Sequence, residues 1–245
     1  MEKNFFEWVM FFFQSNWQQF LLGTATTLLV SLSGTIIGFF LGLGVSLIQY
    51  TKTDDKSSTL FKGFIKFLKI LISIYITIFR GTPMIVQAMV IFYGLPQLIG
   101  LNLDPLPAAL LIVSINTGAY MAEMIRGGVD SVDPGQLEGA QAIGMSHFQA
   151  MISIIFPQAV RNVLPSIGNE FIINIKDTSV LNVIGVTELF FTSKSIAGSY
   201  AKYYEVFIIT SVIYLFLTFT ISLILNAIEK KIDGPKNFEI LPLQD

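Results

Sequence analysis

The sequence predicts an all-α membrane protein with five transmembrane helices and one further helix in the plane of the membrane on the cytoplasmic side. Of its 245 residues, 53% are hydrophobic and only 13% are charged, whereas a soluble domain carries about 25% charged residues. The mean hydropathy is +0.66, and several apolar runs approach the roughly 20 residues that a helix needs to cross the hydrocarbon core. We therefore expect a single membrane domain over residues 1–245.

The composition excludes several classes of function. A net charge of −2 gives no electrostatic reason to expect nucleic-acid binding. The chain has no cysteine and a single histidine, His147, which excludes thiolate metal sites, disulfides, cysteine nucleophiles and two-histidine zinc motifs. We expect no metal, no cofactor and no catalytic residue in this chain.

The first predicted span covers about residues 20–49, and the aromatic residues of 5–17 are typical of a lead-in at the membrane interface. Within the span, Gly34, Gly38 and Gly42 form a doubled G-x-x-x-G ridge that permits close helix packing. This ridge could serve the fold or a contact with a second subunit.

Residues 58–79 are apolar enough to span the membrane but carry Lys62, Lys66 and Lys69 on one helix face. This pattern favours a helix that lies in the membrane interface with its basic face toward the headgroups. A short span whose lysines reach back to the surface is the alternative that the sequence leaves open.

Four more spans are predicted, with a polar outward-facing loop at 187–203 before the last of them; they cover about 83–99, 106–125, 160–185 and 205–228. Lysine and arginine in short loops mark the cytoplasmic side. With five spans, one side carries Lys52, Lys56, Lys62, Lys66, Lys69, Arg80, Lys230, Lys231 and Lys236. We therefore expect the N-terminus outside the cell and the C-terminus in the cytoplasm.

A polar interlude at 127–150 interrupts the apolar pattern and predicts two short helices on the cytoplasmic side. Asp133-Pro134-x-Gln136 is typical of a helix start, and Gly144 is typical of a helix end. A capping box is predicted at Ser146-x-x-Gln149, and Pro157 is expected to bend or end the second helix. Two separately capped helices indicate a rigid protrusion rather than a flexible linker.

Residues 138–157 match the pattern E-A-A-x3-G-x9-I-x-L-P, with Gly139 in place of the first alanine and Phe156 in place of the leucine. This pattern marks the permease subunits of binding-protein-dependent ABC importers. The chain resembles their polar amino acid branch, of the histidine, glutamine and arginine type, over roughly residues 18–230. The resemblance extends to FLLGTATTLLVSLSGTIIG (20–38), FRGTPMIVQ (79–87), AYMAEMIRGGVDSVDPGQLEGAQAIGM (119–145) and NEFIINIKDTSVLNVIGVTEL (169–189).

The resemblance implies a type I ABC importer permease fold and transport of polar amino acids across the cytoplasmic membrane by alternating access. It implies that residues 127–157, called the coupling loop below, dock in a cytoplasmic ATP-binding cassette subunit, present in two copies. ATP would be bound by that partner, because the chain has no G-x-x-x-x-G-K-[ST] motif. The other implied partners are an extracytoplasmic amino-acid-binding protein and a second permease subunit, identical or different. The residues implied in coupling are Glu138, Gly139, Ala140, Gly144 and Pro157.

Polar and ionisable side chains inside the predicted spans are the candidates for a substrate site, since charges are costly in hydrocarbon. The resemblance favours Glu170, because its Asn-Glu-Phe-Ile element matches a segment of the amino-acid pocket in relatives. Polar groups at midspan also seal contacts between helices, and Glu123 with Arg126 is typical of a structural pair or gate. The further substrate candidates are Asn116, Tyr120, Gln87, Thr82, Asn169, Lys176, Asp177, Thr178 and Ser179.

An ion-coupled secondary amino acid transporter is the alternative function. Such transporters often contain internal repeats with broken helices. No repeat relates the two halves of this sequence, and five spans do not divide evenly, so a permease driven by a separate ATPase is favoured.

Overall fold

The computed structural model describes residues 4–51 and 58–233. Within this part of the chain all regular elements are helical. In chain order the α-helices are α1 Phe5–Tyr50, α2 Thr59–Gly81, α3 Met84–Ile99, α4 Pro105–Asp130, α5 Pro134–Ala142, α6 His147–Ala150, α7 Phe156–Asp177, α8 Leu189–Tyr200 and α9 Tyr203–Asp233. A π-helical segment, Met151–Ile155, joins α6 to α7, and a 3₁₀-helix, Thr178–Ile184, follows α7. Three lysines of the predicted charge count, Lys52, Lys56 and Lys236, lie outside the described residues.

Five apolar segments of the described chain account for the five predicted spans. Four are long and apolar enough to cross a membrane: Phe5–Tyr50, Pro105–Asp130, His147–Ile184 and Tyr203–Lys231. The fifth, Met84–Ile99, is a shorter apolar helix. The predicted all-α membrane fold is therefore confirmed.

Helix α1 is longer than the predicted first span, because the aromatic lead-in belongs to the same continuous helix. Asn4 caps it by accepting a hydrogen bond from the Glu7 N–H at 2.9 Å, and Glu7 accepts one from the Asn4 N–H at 2.8 Å. The Phe12 ring is fully buried, stacks on Trp8 at 5.4 Å between centroids and meets Tyr200 edge-on at 5.2 Å. The lead-in therefore packs against α8 as part of the bundle.

Helices α2 and α3 together run alongside α4 in the opposite direction. Ile72 and Ile76 of α2 cluster with Ala122 in the second half of α4, whereas Ala88 of α3 clusters with Ala108 near its start. The two helices thus form one interrupted crossing. This refines the predicted in-plane helix, since the C-terminal half of α2 lies inside the bundle.

The interfacial position expected for the N-terminal half of α2 stays a prediction. Its phenylalanines Phe61, Phe64 and Phe67 are exposed on the chain. Lys69 donates a hydrogen bond from Nζ to the Thr51 carbonyl at 2.9 Å, which holds this half of the helix beside the inner end of α1.

Helix α1 packs against α4 along the predicted glycine ridge. A β-carbon at Gly42 would lie 2.6 Å from Met121 Cβ and 2.7 Å from the backbone nitrogen of Ala122. Atoms cannot approach this closely, so the absence of a side chain is what permits the contact. One turn further on, Ser46 Oγ donates a hydrogen bond to the Ala122 carbonyl at 3.0 Å. Of the two roles left open for the ridge, the structure supports the fold.

Pro157 does not end the helix that follows the coupling loop, contrary to one of the two predicted outcomes. The predicted capping box of Ser146 and Gln149 is present, and the helix widens into the π-helical segment before α7 begins at Phe156. A proline ring clashes with the carbonyl four residues earlier in a regular α-helix, and the wider π turn relieves that clash. The coupling loop therefore continues into the fourth span as one helical path.

The prediction of a polar loop at 187–203 is wrong, because most of this segment is helix α8. Glu188 caps the helix by accepting hydrogen bonds from the N–H groups of Phe190 at 2.8 Å and Phe191 at 2.6 Å. Ser193 lies buried, and its Oγ accepts a hydrogen bond from Thr210 of α9 at 2.7 Å. Polar side chains on the buried face conceal the helical period of the segment.

Candidate functional site

The first part of the candidate site is the break between α2 and α3. Pro83 stands at the start of α3 and has no N–H to donate, so backbone carbonyls before the break need other partners. Gln87 supplies one, since its Nε2 lies 2.9 Å from the Phe79 carbonyl and 2.8 Å from the Thr82 carbonyl. Asn116 of α4 donates from Nδ2 to Gln87 Oε1 at 2.9 Å.

Three predicted substrate residues, Thr82, Gln87 and Asn116, thus meet in one cluster. Gln87 and Asn116 are buried, and Thr82 Oγ1 lies 2.9 Å from Gln87 Nε2. Backbone carbonyls freed inside a membrane must be satisfied by the protein. The cluster meets that requirement, so for Gln87 the geometry supports the structural role that the sequence left open.

The second part of the site is a buried stripe of α7 that carries Glu170 and Asn174 one turn apart. Asn174 donates from Nδ2 to Thr35 Oγ1 at 2.9 Å and to Thr117 Oγ1 at 3.0 Å, which ties α7 to α1 and α4. Glu170 is only 5% exposed. Within residues 4–51 and 58–233, no hydrogen bond or ion pair engages its carboxylate. A buried carboxylate without a partner is costly, so Glu170 can accept a cationic ligand group.

Among the described residues, the remaining candidates on and after α7 form no hydrogen bond or ion pair with Glu170. Thr178 is buried, but its Oγ1 donates to the Ile175 carbonyl at 3.0 Å, and Ser179 is half-buried at the start of the 3₁₀-helix. The other three, Asn169, Lys176 and Asp177, are exposed on the chain.

Tyr120 lies on α4 one turn beyond Asn116 and is half-buried. The Arg80 guanidinium lies 5.6 Å from its ring centroid, in cation–π contact. The structure therefore associates Tyr120 with a charged group at the end of α2 rather than with the Gln87 cluster.

The third part is the coupling loop, whose first helix is α5. Asp133 caps α5, as predicted, by accepting a hydrogen bond from Gly135 N–H at 2.7 Å. Glu138 and Gly139 are exposed and Ala140 is buried. Gly144 has φ +93°, a left-handed conformation that favours glycine and separates α5 from α6.

An apolar cluster anchors the coupling loop to α4 and to the C-terminal part of α1. Val132, Met151 and Ile155 of the loop pack with Ile125 and Val129 of α4. This contact packs the loop against the bundle, while the rigidity expected from its capped helices stays a prediction.

Residues 60–234 match the family of binding-protein-dependent transport system inner membrane components. The chain belongs to this permease family. It is 35% identical over 210 residues to the arginine transport system permease protein ArtQ of Bacillus subtilis, covering 86% of this chain and 90% of that one. It is 37% identical over 210 residues to the glutamine transport system permease protein GlnP of Escherichia coli, covering 85% and 90%. The predicted resemblance to polar amino acid permeases is therefore confirmed.

Two solved structures share the fold of this permease. One is a crystal structure of an amino acid ABC transporter with histidines, with a TM-score of 0.79 and 35% identity, covering 94% of this chain and 100% of that one. The other is the MetNI methionine ABC transporter in inward-facing conformations, with a TM-score of 0.72, covering 89% and 98%. At 17% identity, the second likeness concerns the fold alone.

The sequence analysis missed two residues of the permease that the structure makes prominent. Ile143 is 80% exposed and Phe148 is 61% exposed, and both lie in the coupling loop. Large apolar side chains exposed in an otherwise polar segment are typical of a docking surface. Their isolation within the polar interlude was the signal that could have identified them.

Proposed function

We propose that this permease is the transmembrane subunit of an ATP-driven importer that moves polar amino acids across the cytoplasmic membrane by alternating access. The observation that supports it best is the buried Glu170 carboxylate, which has no partner among the described residues and lies on a span that continues into the coupling loop. The relatives named for arginine and glutamine transport support this class of substrate.

The proposed substrate contact follows from the charge of an amino acid. Its ammonium, or a cationic side chain, pairs with the Glu170 carboxylate, because a charge-assisted hydrogen bond is strong where water is excluded. The polar residues proposed to line the remaining path are Asn116, Tyr120, Thr82, Gln87, Asn169, Lys176, Asp177, Thr178 and Ser179.

The proposed drive comes from a partner ATPase. Two copies of an ATP-binding cassette subunit hold ATP and dock on coupling loops through Glu138, Gly139, Ala140, Gly144 and the exposed apolar residues. Loop motion passes through the π-helical segment and Pro157 into α7, since these form one helical path. Substrate shifts the equilibrium only through its different affinity for the inward-open and outward-open states.

The proposed assembly also has a second permease subunit, identical or homologous, and an extracytoplasmic amino-acid-binding protein at the outer ends of the helices. In this assembly the N-terminus is outside and the C-terminus is cytoplasmic. The coupling loop then lies on the same side as the basic residues Lys66, Lys69, Lys230 and Lys231.

Uptake by the complete complex tests the proposal. The permease is purified with its ATPase, reconstituted in liposomes with the binding protein, and supplied with ATP and radiolabelled arginine, glutamine or histidine. We expect ATP-dependent accumulation of at least one of them. Glu170→Gln should raise KM by about tenfold or more, because a hydrogen bond to a charged group is lost.

Glu205→Gln is the matched control, since Glu205 lies in the first turn of α9 and pairs with Lys202 at 3.5 Å. A loss in Glu170→Gln confined to arginine and histidine would assign the carboxylate to the substrate side chain, and a loss for all three would assign it to the ammonium. Accumulation driven by a sodium or proton gradient without ATP would overturn the proposed function. Unaltered kinetics in Glu170→Gln would overturn the proposed contact.

A further inference from the structure

A continuous chain of polar contacts links the coupling loop to the break between α2 and α3. It begins at His147 in the first turn of α6, where Nε2 lies 3.1 Å from the Tyr50 carbonyl at the end of α1. The Tyr50 hydroxyl donates to Asp130 Oδ1 at 2.7 Å and lies 3.2 Å from the Arg126 carbonyl. These contacts join the loop to the inner ends of α1 and α4.

The chain continues outward along α4 and crosses to α2. Arg126 bridges two carboxylates, with NH1 at 2.9 Å from Asp130 Oδ2 and NH2 at 3.1 Å from Glu123 Oε2. The same Glu123 oxygen lies 3.2 Å from NH1 of Arg80. Arg80 stands next to Gly81, the last residue of α2, and its guanidinium lies over the ring of Tyr120.

Stability does not account for this arrangement. The paired side chains of Arg80, Arg126 and Asp130 are 41%, 47% and 55% exposed, and ion pairs this open to solvent contribute little to the free energy of unfolding. Two of the contacts join different helices: Tyr50 to Asp130 joins α1 to α4, and Arg80 to Glu123 joins α2 to α4. They make the end of α2 depend on the position of the coupling loop.

The break between α2 and α3 can change its geometry when the coupling loop moves. Gly81, Thr82 and Pro83 interrupt the second crossing, and a few residues at the ends of elements are where hinge motions are absorbed. Arg126 pairs with both Asp130 and Glu123, and Glu123 also pairs with Arg80. If Asp130 moves, Arg126 moves with it, and the contact of Glu123 with Arg80 changes. A displacement of Tyr50 therefore changes the ion pair between Glu123 and Arg80 at the end of α2.

We propose that Tyr50, Asp130, Arg126, Glu123 and Arg80 form a positioning chain through which the coupling loop moves the broken second span. This inference rests on the proposed function, because it assigns the chain to ATP-driven opening of the inner end of the pathway. It is separate from the helical path through the π-helical segment, which leads from the loop to α7.

The test uses the reconstituted complex of permease, ATPase and binding protein, with the best-transported labelled amino acid from the uptake panel as the probe. The variants are Tyr50→Phe, Arg80→Gln and the double variant, with Arg80→Lys as the conservative replacement. Tyr50→Phe keeps the ring that packs edge-on against Phe156 at 6.3 Å, so it removes the hydroxyl alone. Glu229→Gln is the control outside the chain.

We expect Tyr50→Phe and Arg80→Gln each to lower the number of amino acids moved per ATP hydrolysed by about fivefold to tenfold, a range typical of coupling between sites. The melting temperature of the complex, KM and the basal ATPase rate should stay at wild-type values. The double variant should lose no more than either single variant, because both break one chain. Arg80→Lys should restore part of the ratio.

Three results would overturn the inference: a wild-type ratio in both single variants, additive losses in the double variant, or losses that follow a lower melting temperature. Absence of ATP-driven uptake by the wild-type complex would instead overturn the proposed function. The two failures are therefore distinguishable.

Discussion

Helix α4 packs against α1 on one side and against the α2–α3 crossing on the other, and the two contacts differ in kind. On one side α1 packs directly on it, with Gly38 and Gly42 against Thr117 and Met121. On the other side, the crossing made of α2 and α3 is interrupted at Pro83 and is held to α4 by the Gln87 and Asn116 side chains. One contact is close and continuous, and the other is polar and broken.

The difference separates a fixed unit from an element that can change. Where small residues let two backbones approach, packing holds a helix pair in one geometry without help from the hydrophobic effect. Where a span is broken, side chains must satisfy the freed carbonyls, and such bonds can be exchanged for others. We infer that α1 and α4 move together, while the α2–α3 crossing adjusts against them.

The largest expected effect is on the fixed side. Gly42→Ala places a β-carbon 2.7 Å from the Ala122 backbone nitrogen, which α4 cannot accommodate without shifting. We expect a loss of about 3 kcal/mol or more in the free energy of unfolding, as in other overpacked contacts. Thermal unfolding of the purified permease in detergent measures it.

Gly44→Ala is the matched control two residues further along α1. A β-carbon there meets no atom within 4 Å, so the substitution should be neutral or stabilise the helix by up to about 1 kcal/mol. Equal effects of the two substitutions would contradict the view that the ridge holds α1 against α4.

A smaller effect is expected on the broken side. Gln87→Leu keeps the approximate size of the side chain but removes its bonds to the carbonyls of Phe79 and Thr82. We expect a loss of about 1–3 kcal/mol in the free energy of unfolding, because buried acceptors are left unsatisfied. Gln97→Leu, an exposed position on the same helix, should change it by less than about 0.5 kcal/mol.

If Gln87→Leu unfolds like wild type but raises KM for the transported amino acid, Gln87 contacts substrate and the structural assignment is wrong. If it loses stability while KM is unchanged, the cluster at the break is part of the fold. The pair of measurements therefore decides between the two roles that the sequence left open.

The sequence predicted the structure correctly where interactions between residues close in sequence determine it. The glycine ridge, the Ser146 and Gln149 capping box and the left-handed Gly144 each depend on residues within a few positions. The apolar helices, four of them in the described chain long and apolar enough to cross a membrane, follow from hydropathy over windows of similar size to each helix. These features need no knowledge of which helices are neighbours.

Predictions failed where a contact distant in sequence decides the structure. Helix α8 carries Ser193 on its buried face, where Thr210 of α9 donates a hydrogen bond to it, whereas a local pattern of polar residues favours a loop. The C-terminal half of α2 lies in the bundle because Tyr75 donates to the Ile115 carbonyl at 2.6 Å. The burial of Glu170 on α7 also follows only from the packed bundle.

The smallest expected effect tests whether α7 belongs to the fixed unit. Thr35→Val preserves shape but removes the Oγ1 that accepts the hydrogen bond from Asn174 at 2.9 Å, and Asn174 keeps its bond to Thr117. We expect a loss of about 0.6 kcal/mol in the free energy of unfolding, a typical value for a hydrogen bond between membrane helices. Thr26→Val is the control, because its Oγ1 donates to the Leu22 carbonyl of its own helix. A loss in Thr35→Val no larger than in Thr26→Val would mean that the Asn174 bond does not hold α7 to α1. In that case α7, which continues from the coupling loop, would be free to move against the α1–α4 pair.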